Sequence, residues 1–254
     1  MDLQLKDKVA IVTGGAKGIG AGVTEALAEE GARVAVIFRS DPEGSAAACA
    51  AIAERTGAEV VPFQYDVAIP ENVDKIFDEV REKMGPVDIL VNNAAGGTKK
   101  PIPFDEMTYE QWEDGINGCL NHVFTMCKRF VCDCKADGRP GHIVNFSAKA
   151  AFFQNGRDKA HYVAAKGAIA SLTRAIAKEA TEFGIIANSV VPGYVIADNH
   201  YHPGDADYNS KLALLPTGKF ATPIEIGHIV AFLCSPMSGQ IIGAQVDVSG
   251  GTMI

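Results

Sequence analysis

The sequence has little positive charge and no long apolar run, and each deficit excludes a class of protein. Lys and Arg total 23 against 31 Asp and Glu, so a formal net charge of −8 leaves no basic face for a nucleic-acid backbone. No apolar stretch approaches the roughly 20 residues that span a bilayer. Charged residues alternate through residues 2–8, unlike a signal or transit peptide. We therefore expect a cytoplasmic protein that binds neither nucleic acid nor membrane.

The cysteines lack the spacing of a metal or redox site. Six are present, but no C-x-x-C pair or neighbouring His stands at zinc-ligand spacing. Cys132 and Cys134 form a C-x-C, yet on a helix their side chains would point about 200° apart. We expect reduced thiols and no metal.

What is present is a regular alternation of aliphatic runs with amphipathic stretches rich in Ala, Glu and Lys. Continuous apolar runs are typical of strands buried on both faces of a parallel sheet. The predicted strands are Val9–Val12, Arg33–Phe38, Glu59–Phe63, Ile89–Asn92, His142–Phe146, Ile186–Val191 and Ala244–Val248. The predicted helices are Gly18–Glu30, Gly44–Arg55, Pro70–Met84, Tyr109–Cys134, His161–Phe183 and Pro223–Cys234. This order predicts an α/β fold, a doubly wound, Rossmann-type, parallel seven-stranded sheet with helices on both faces.

No linker or internal repeat divides the chain, so we expect one dinucleotide-binding domain over residues 1–254. One long irregular segment, residues 197–222, is rich in Asp, Asn, His, Pro and Tyr. A loop of that length in a compact domain is usually a lid or a binding loop, and we expect it to contact substrate.

A glycine-rich turn follows the first predicted strand and opens the first helix. It reads Thr13-Gly14-Gly15-Ala16-Lys17-Gly18-Ile19-Gly20. Glycines let the backbone turn tightly and approach a pyrophosphate, which the free N–H groups and positive end of the helix then hold. The spacing G-x-x-x-G-x-G differs from the commoner G-x-G-x-x-G, and a turn needed only for packing is the alternative.

The end of the second strand indicates which dinucleotide binds. NAD-specific sites place a carboxylate there, whereas this chain continues from Phe38 into Arg39 and Ser40. Together with Lys17 these residues offer two cations and a hydroxyl to a 2′-phosphate, which favours NADP(H). Asp41 weakens the case a little, and Arg39 could instead be a solvated loop charge.

The chain resembles the classical short-chain dehydrogenase/reductase family over its whole length. The motifs, in order, are the glycine turn, Asp66-Val67, Asn92-Asn93-Ala94-Ala95-Gly96, Tyr162-Val163-Ala164-Ala165-Lys166 and Pro192-Gly193. A lone Y-x-x-x-K means little, but this ordered set is specific.

The resemblance implies a cofactor site at the carboxyl ends of the strands. Asp66 would bind the adenine amino group, the backbone near Asn92 and Ala94 would border the ribose, and Val195 would contact the nicotinamide carboxamide. Helix capping by Asp66 and turn formation by the asparagines are the alternatives. The predicted cofactor residues are Gly14, Lys17, Gly18, Ile19, Gly20, Arg39, Ser40, Asp66, Val67, Asn92, Ala94, Tyr162, Lys166, Pro192, Gly193 and Val195.

Tyr162 and Lys166 have a physical interpretation of their own. Residues four apart on a helix share a face, so the ammonium lies beside the phenol. A positive neighbour favours the phenolate and would bring the pKa of Tyr162 down from about 10 toward neutrality, where proton transfer is useful. We expect Tyr162 to be the general acid and base, although an incidental surface pair is possible. By resemblance, Lys166 would also bind the nicotinamide ribose.

Two supporting positions depart from the family. The helix residue that is usually Asn falls on Cys119, and Asn117 and Asn121 lie about 200° away around a regular helix. By resemblance that Asn anchors a water in the proton relay, so the relay is rerouted or weakened, or the helix register is shifted.

The second departure concerns the serine that polarises the carbonyl. The family's Ser-Ser pair reads Ser147-Ala148 here, and the segment before Tyr162 is one residue longer. We predict Ser147 in this role, unless strand geometry persists through residue 148 and turns it away. Ala197 also stands where Thr often contacts the carboxamide.

The function these features predict is NADP(H)-dependent transfer of a hydride between cofactor and a carbonyl or alcohol carbon of a small or medium molecule, with Tyr162, Lys166 and Ser147 catalytic. Two alternatives stay open: reduction of an imine or conjugated C=C bond on the same fold, and an NADP(H)-binding sensor with little turnover. The resemblance implies a homotetramer or homodimer paired through the helices near 109–134 and 161–183.

Overall fold

A seven-stranded parallel sheet forms the centre of the molecule in the part of the chain that the structure describes. This computed structural model describes residues 2–97, 100–153, 157–196 and 201–253. The strands are β1 Val9–Thr13, β2 Arg33–Phe38, β3 Val60–Gln64, β4 Ile89–Asn92, β5 Gly141–Phe146, β6 Ile185–Pro192 and β7 Gln245–Val248. Their order, β3-β2-β1-β4-β5-β6-β7, confirms the doubly wound prediction.

Helices connect the strands and cover both faces of the sheet. They are α1 Gly18–Glu29, α2 Pro42–Thr56, α3 Glu71–Met84, α4 Tyr109–Ile116, α5 His122–Asp137, α6 Ala160–Ala180, α7 Tyr208–Leu212 and α8 Pro223–Leu233. A π-helical segment, Asn117–Asn121, joins α4 to α5. Helix α2 begins two residues earlier than predicted because Pro42 suits the first helical position and Asp41 accepts a hydrogen bond from the Gly44 N–H.

Two buried cores lie on opposite faces of the sheet. Successive β1 residues alternate between them, with Ala10 and Val12 in one and Val9 and Ile11 in the other. The first core packs the sheet against α1 and α8, and the second packs it against α3, α5 and α6. The carboxyl ends of all seven strands therefore meet at one edge, where ligands bind in such sheets.

The prediction of one helix over Tyr109–Cys134 was wrong at its middle. The carbonyl oxygen of Gly118 accepts a hydrogen bond from the Gly96 N–H at 2.7 Å, and this backbone contact lies outside the regular helical ladder. The π turn brings Gly118 so close to the segment after β4 that a Cβ there would lie 2.4 Å from the Gly97 nitrogen. Wide turns of this kind occur often at functional sites.

The segment predicted as a substrate loop is partly structured. Residues 201–222 contain the short α7 and pack aromatic rings onto Tyr194, which follows β6. Ala197 and His200 lie outside the described residues. The single-domain assignment of residues 1–254 and the substrate role of residues 197–222 stay predictions.

Candidate active site

The glycine-rich turn closes tightly between β1 and α1. Gly14 and Gly18 have positive φ angles of 65° and 51°, which side chains rarely adopt. A Cβ at Gly20 would lie 2.0 Å from the Gly14 carbonyl oxygen, so the turn leaves no room for a side chain there. Lys17, at the N-cap of α1, makes no side-chain capping bond. The first N–H groups of the helix are thus left for an anionic ligand.

Asn93 ties this turn to the end of β4. Its side-chain Nδ2 donates to the carbonyl oxygens of Thr13 at 3.0 Å and Gly14 at 3.1 Å. Thr13 Oγ1 in turn accepts from the backbone N–H groups of Asn93 at 3.1 Å and Ala94 at 3.0 Å. Sequence reasoning emphasised Asn92, but the buried Asn92 side chain donates to Asn145 Oδ1 at 2.8 Å beneath the sheet edge.

A cavity of about 710 Å³ opens beside the turn, at the ends of β1 to β4. That volume is within the range of small-molecule and cofactor sites. Seven of the predicted cofactor residues line it: Gly14, Lys17, Arg39, Ser40, Asp66, Val67 and Ala94. The glycine cradle and this polar cavity fit the phosphate and adenosine portion of a dinucleotide.

The charges at the rim of this cavity are already paired with carboxylates. Lys17 Nζ lies 2.5 Å from Asp41 Oδ2, and this ion pair lowers the pKa of Asp41. Arg39 is exposed, and its guanidinium lies 3.9 Å from Asp66 Oδ2. The other Asp66 oxygen accepts from the Ala68 N–H at 2.9 Å. Asp66 therefore stabilises the turn after β3 and also lines the cavity. Of the two cations, Arg39 is more exposed than Lys17.

Tyr162 and Lys166 lie one turn apart on α6, but their surroundings differ from the sequence-based expectation. Lys166 is buried, and its Nζ donates to the Phe146 carbonyl oxygen at 2.8 Å. Burial raises the pKa of Tyr162 to about 12, and the neighbouring Cys119 thiol adds to the increase. The expected lowering toward neutrality was therefore wrong for this structure, because burial disfavours the charged phenolate.

Ser147 is buried directly after β5. Its Oγ donates to the Lys166 carbonyl oxygen at 2.7 Å, which uses the single proton of the hydroxyl. The next residue, Ala148, is still extended, with φ −154° and ψ 147°. Ser147 can thus donate to a substrate oxygen only if its hydroxyl leaves the Lys166 carbonyl.

The π segment places Cys119, not an asparagine, at the interior of the site. Cys119 is buried, and its Sγ lies 3.5 Å from the Gly96 carbonyl oxygen. Asn117 and Asn121 are exposed and hydrogen-bond to each other. Neither asparagine side chain therefore takes the position of Cys119.

His122 was missed by the sequence reasoning, although it lines the cavity. Its Nε2 lies 3.0 Å from the Ala94 carbonyl oxygen. Burial and the nearby Lys166 lower the pKa of His122 to about 4. A neutral imidazole therefore lies beside the lysine at physiological pH. The available signal was a His on an otherwise apolar helix face.

The end of β6 supplies three further predicted cofactor residues, whereas Ile19 on α1 packs, partly buried, against the first core. A Cβ at Gly193 would lie 2.6 Å from the Ser249 carbonyl oxygen, so glycine is needed where β6 and β7 end together. Val195 is buried and forms an isolated parallel bridge with Ala221. The cavity lies at the ends of β1 to β4, whereas Pro192, Gly193 and Val195 lie at and after the end of β6, farther along the same edge of the sheet.

Lys149 is the second residue that sequence reasoning missed. It follows Ala148, is only 8% exposed, and its Nζ lies 3.4 Å from the centroid of the Tyr194 ring. The sequence signal that could have identified Lys149 was a charged residue immediately after Ser147-Ala148, at the carboxyl end of a predicted strand.

Other site chemistries find no support in the part of the chain that the structure describes. No group of three or more His, Cys, Asp or Glu side chains is arranged to hold a metal ion in those residues. All six cysteines are free thiols, and Cys132 alone among them is exposed. Among the described helices, none is both long and apolar enough to cross a membrane.

Known proteins resemble this chain from end to end. A family model described as enoyl-(acyl carrier protein) reductase matches residues 14–253. The 3-oxoacyl-[acyl-carrier-protein] reductases FabG of Vibrio cholerae and Escherichia coli are each 32% identical over 249 residues, covering 98% of both chains. L-Sorbose reductase from Gluconobacter frateurii, solved with NADPH and L-sorbose, superposes with a TM-score of 0.90 at 27% identity, covering 100% of this chain and 99% of that one. A short-chain dehydrogenase/reductase variant from Serratia marcescens gives a TM-score of 0.89 at 27% identity, covering 98% and 99%.

Proposed function

Because this chain belongs to the short-chain dehydrogenase/reductase family, we propose that it is an NADP(H)-dependent oxidoreductase acting on a carbonyl or alcohol carbon of a small or medium molecule. The observation that carries the proposal is the pair Tyr162 and Lys166, held on α6 beside the end of β5. His122, which interacts with Lys166, lines the cavity that fits the phosphate and adenosine portion of a dinucleotide. FabG relatives and a sorbose reductase solved with NADPH support both the reaction class and the cofactor.

The cofactor would bind along the carboxyl edge of the sheet. The glycine turn and the open end of α1 would hold the pyrophosphate, and Arg39 with Ser40 would face the 2′-phosphate. Asp66 and Val67 would border the adenine, while Ala94 and the backbone near Asn92 would border the ribose. Pro192, Gly193 and Val195 would lie at the nicotinamide end. The nicotinamide supplies the hydride, and the protein supplies position and protons.

Tyr162 is the proton donor in the reductive direction. With a pKa raised to about 12, the phenol is protonated at neutral pH and can give its proton to the oxygen that forms on reduction. Lys166 is beside it and would bind the nicotinamide ribose and restore the proton. Ser147 would polarise the carbonyl once its hydroxyl turns from the Lys166 carbonyl.

A second candidate reaction is reduction of an imine or a conjugated C=C bond. Two features of the site favour this reaction: Ala148 stands in place of a serine, and the Ser147 hydroxyl donates its proton to the Lys166 carbonyl oxygen. The matching family model is also described as an enoyl reductase. Polarisation of a carbonyl by serine matters less for these bonds. A low-turnover NADP(H) sensor is the remaining alternative, and the Tyr162 and Lys166 pair argues against it.

We also propose a homodimer or homotetramer. Tyr109, at the start of α4, and Phe124, on α5, are 69% and 52% exposed in the single chain. Large apolar side chains exposed on neighbouring helices are typical of surfaces that pair between subunits.

The test is consumption of NADPH, and separately of NADH, by wild-type protein and a Tyr162→Phe variant. The substrates are a panel of ketones, aldehydes, imines and enones. We expect carbonyl reduction with NADPH, and a loss of roughly 10²–10⁴-fold in kcat in the variant because the proton donor is gone. Binding of NADPH should be nearly unchanged.

The control is Tyr109→Phe, which removes an exposed phenol at the start of α4 and should leave kcat unchanged. Unchanged turnover in Tyr162→Phe would contradict the mechanism. Tight NADPH binding without turnover of any ketone or aldehyde would reject the leading proposal, and turnover of imines or enones alone would select the second candidate.

A further inference from the structure

Lys149 carries a buried ammonium group two residues after Ser147, just beyond the carboxyl end of β5. It begins a short 3-10 turn, Lys149–Ala151, which packs against α6, the helix that carries Tyr162. Lys side chains are almost never this buried without a partner, because removing the ammonium from water is costly. The position therefore needs an explanation.

The surroundings of the Lys149 ammonium offer only weak compensation. Its Nζ lies over the Tyr194 ring at 3.4 Å from the centroid and 3.5 Å from Thr252 Oγ1, the outer limit of a hydrogen bond. Among the residues the structure describes, no carboxylate oxygen lies within 4.0 Å of this nitrogen. A cation on an aromatic face is stabilised, but the ring does not supply the negative charge that a buried ammonium favours.

A second lysine faces the same aromatic platform. Lys211 Nζ, on α7, lies 5.6 Å from the Tyr194 centroid. Tyr194 is buried, and its ring is held edge-on by Tyr201 at 5.3 Å between centroids, which stacks in turn on Phe220 at 5.1 Å. The ammonium groups of Lys149 and Lys211 thus both lie near the Tyr194 ring. This cluster is located at the ends of β5 and β6, outside the cavity assigned to the adenosine portion.

We propose that Lys149 is a specificity-determining residue that binds an anionic group, a carboxylate or a phosphate, on the substrate beside the reacting carbon. The inference rests on the proposed oxidoreductase function and narrows its substrate to keto acids, hydroxy acids or phosphorylated carbonyl compounds. The anion supplies the negative charge that no described carboxylate brings to Lys149, with Lys211 as a second, more exposed cation. Tyr194 supports the lysine and presents a flat wall to the substrate.

This arrangement affects mainly the binding of substrate. The ammonium contacts a group that does not change during hydride transfer, so it stabilises ground state and transition state alike, and its removal raises KM more than it lowers kcat. A hydrogen bond to a charged partner contributes about ten- to a hundredfold in affinity.

The experiment compares matched substrates that differ in charge, with NADPH as the reductant. Levulinate is paired with methyl levulinate, and dihydroxyacetone phosphate is paired with dihydroxyacetone, so the two arms separate the carboxylate source from the phosphate source. The variants are Lys149→Met, which keeps the chain length without the charge, and Lys149→Arg, which keeps the charge. Lys178→Met, near the C-terminal end of α6, is the control for loss of one positive charge.

We expect wild-type protein to prefer an anionic member of a pair by about ten- to a hundredfold in kcat/KM. Lys149→Met should lose that preference through KM and keep its activity on the neutral partner, whereas Lys149→Arg should retain most of it. A wild-type enzyme without preference for either anion overturns the proposal while leaving the oxidoreductase function intact. Equal losses on anionic and neutral substrates also overturn it, because they mark a structural role or direct polarisation of the carbonyl.

A binding measurement separates this inference from the proposed reaction. With NADPH bound, acetate and inorganic phosphate are titrated against wild-type protein and against Lys149→Met, and the shift in Tm is followed. Stabilisation by one of the anions that disappears in Lys149→Met supports the site even if none of the carbonyl compounds turns over. Identical behaviour of the two proteins toward both anions overturns it.

Discussion

At the scale of single residues, the charged side chains around the proposed 2′-phosphate position compete with one another. Asp41 occupies a left-handed backbone conformation, caps α2 and holds Lys17 in an exposed ion pair. An aspartate carboxyl is charged at neutral pH, and the ion pair lowers the pKa of Asp41 further. Its negative charge acts against a bound 2′-phosphate and also occupies one of the two cations that the phosphate would use.

Asp41→Asn should therefore strengthen the preference for NADPH over NADH. Asn tolerates the left-handed conformation and can still accept the hydrogen bond from Gly44, so the helix cap is retained. We expect KM for NADPH to fall by about two- to fivefold, with little change for NADH, and the gain to shrink at high salt because the charges are exposed. Initial rates with each cofactor at two ionic strengths give the measurement.

Glu59→Gln is the matched control for this substitution. It removes one negative charge and breaks an exposed ion pair with Arg33. Arg33 begins β2 and Glu59 immediately precedes β3, so both lie at the sheet edge opposite the proposed cofactor site. An equal gain in both variants would show that only net charge changed. A loss of NADPH affinity in Asp41→Asn would show that the cap, and not the repulsion, dominates.

Sequence reasoning identifies a residue well where local geometry alone decides its role. The glycines of the β1–α1 turn follow from backbone geometry, so Gly14, Gly18 and Gly20 could be predicted without knowing their neighbours. Ser147 and Lys149 could not be placed in this way. Where their side chains point depends on the last residues of β5 and on α6 and β6, which are distant in the sequence.

At the scale of elements, the strands were predictable and one helix was not. Parallel strands buried on both faces need continuous apolar runs, and those runs are visible in the sequence. The π turn at Asn117–Asn121 accompanies a tertiary contact, the hydrogen bond from the Gly96 N–H to the Gly118 carbonyl oxygen. No periodicity within the helix contains that information.

Helices α1 and α8 cross so closely that glycine is required at the contact. A Cβ at Gly227 would lie 2.1 Å from the Gly22 carbonyl oxygen, and one at Gly22 would lie 2.2 Å from the Pro223 carbonyl carbon. Both obstacles are backbone atoms, which cannot move aside as a side chain can. Since α1 also carries the phosphate-binding turn, this crossing positions the cofactor site as well as the core.

Gly227→Ala should destabilise the protein by about 1–3 kcal/mol, the usual cost of overpacking a core. The matched control is Gly167→Ala in α6, where a Cβ would meet only Ala151 Cβ at 3.9 Å. That variant should be stabilised by about 0.5–1 kcal/mol, since alanine favours a helix interior. Urea unfolding of the cofactor-free proteins measures both changes. Equal midpoints for Gly227→Ala and wild type would show that the two helices can separate without cost.

At the scale of the whole molecule, buried histidines make the stability of the fold depend on pH. His142, at the start of β5, and His122, at the start of α5, lie on different elements and are both largely enclosed. Burial lowers the pKa of each from 6.5 to about 4, with Lys8 adding to the effect at His142 and Lys166 at His122. The unfolded chain exposes both imidazoles to water.

The sign of the effect follows from which state binds the proton. Between pH 6.5 and about 4 the unfolded chain takes up protons at these positions and the folded chain does not. Each histidine therefore contributes stability that is present above the unfolded pKa and is lost as the pH falls, at up to about 1.4 kcal/mol per pH unit. Asp137, whose pKa is lowered from 3.8 to about 2 by Arg81 and Arg139, acts only at more acidic pH.

His142→Gln should reduce this dependence, because glutamine does not titrate. The measurement is the free energy of unfolding in urea at intervals from about pH 7 to about pH 5. As the pH falls, this free energy should decrease about half as steeply in the variant as in wild type, and the decrease that is left arises from His122. His228→Gln, at an exposed position on α8, should leave the slope unchanged and controls for loss of a histidine. An unaltered slope in His142→Gln would mean that the His142 imidazole reaches water in the folded protein and that other groups cause the pH dependence of stability.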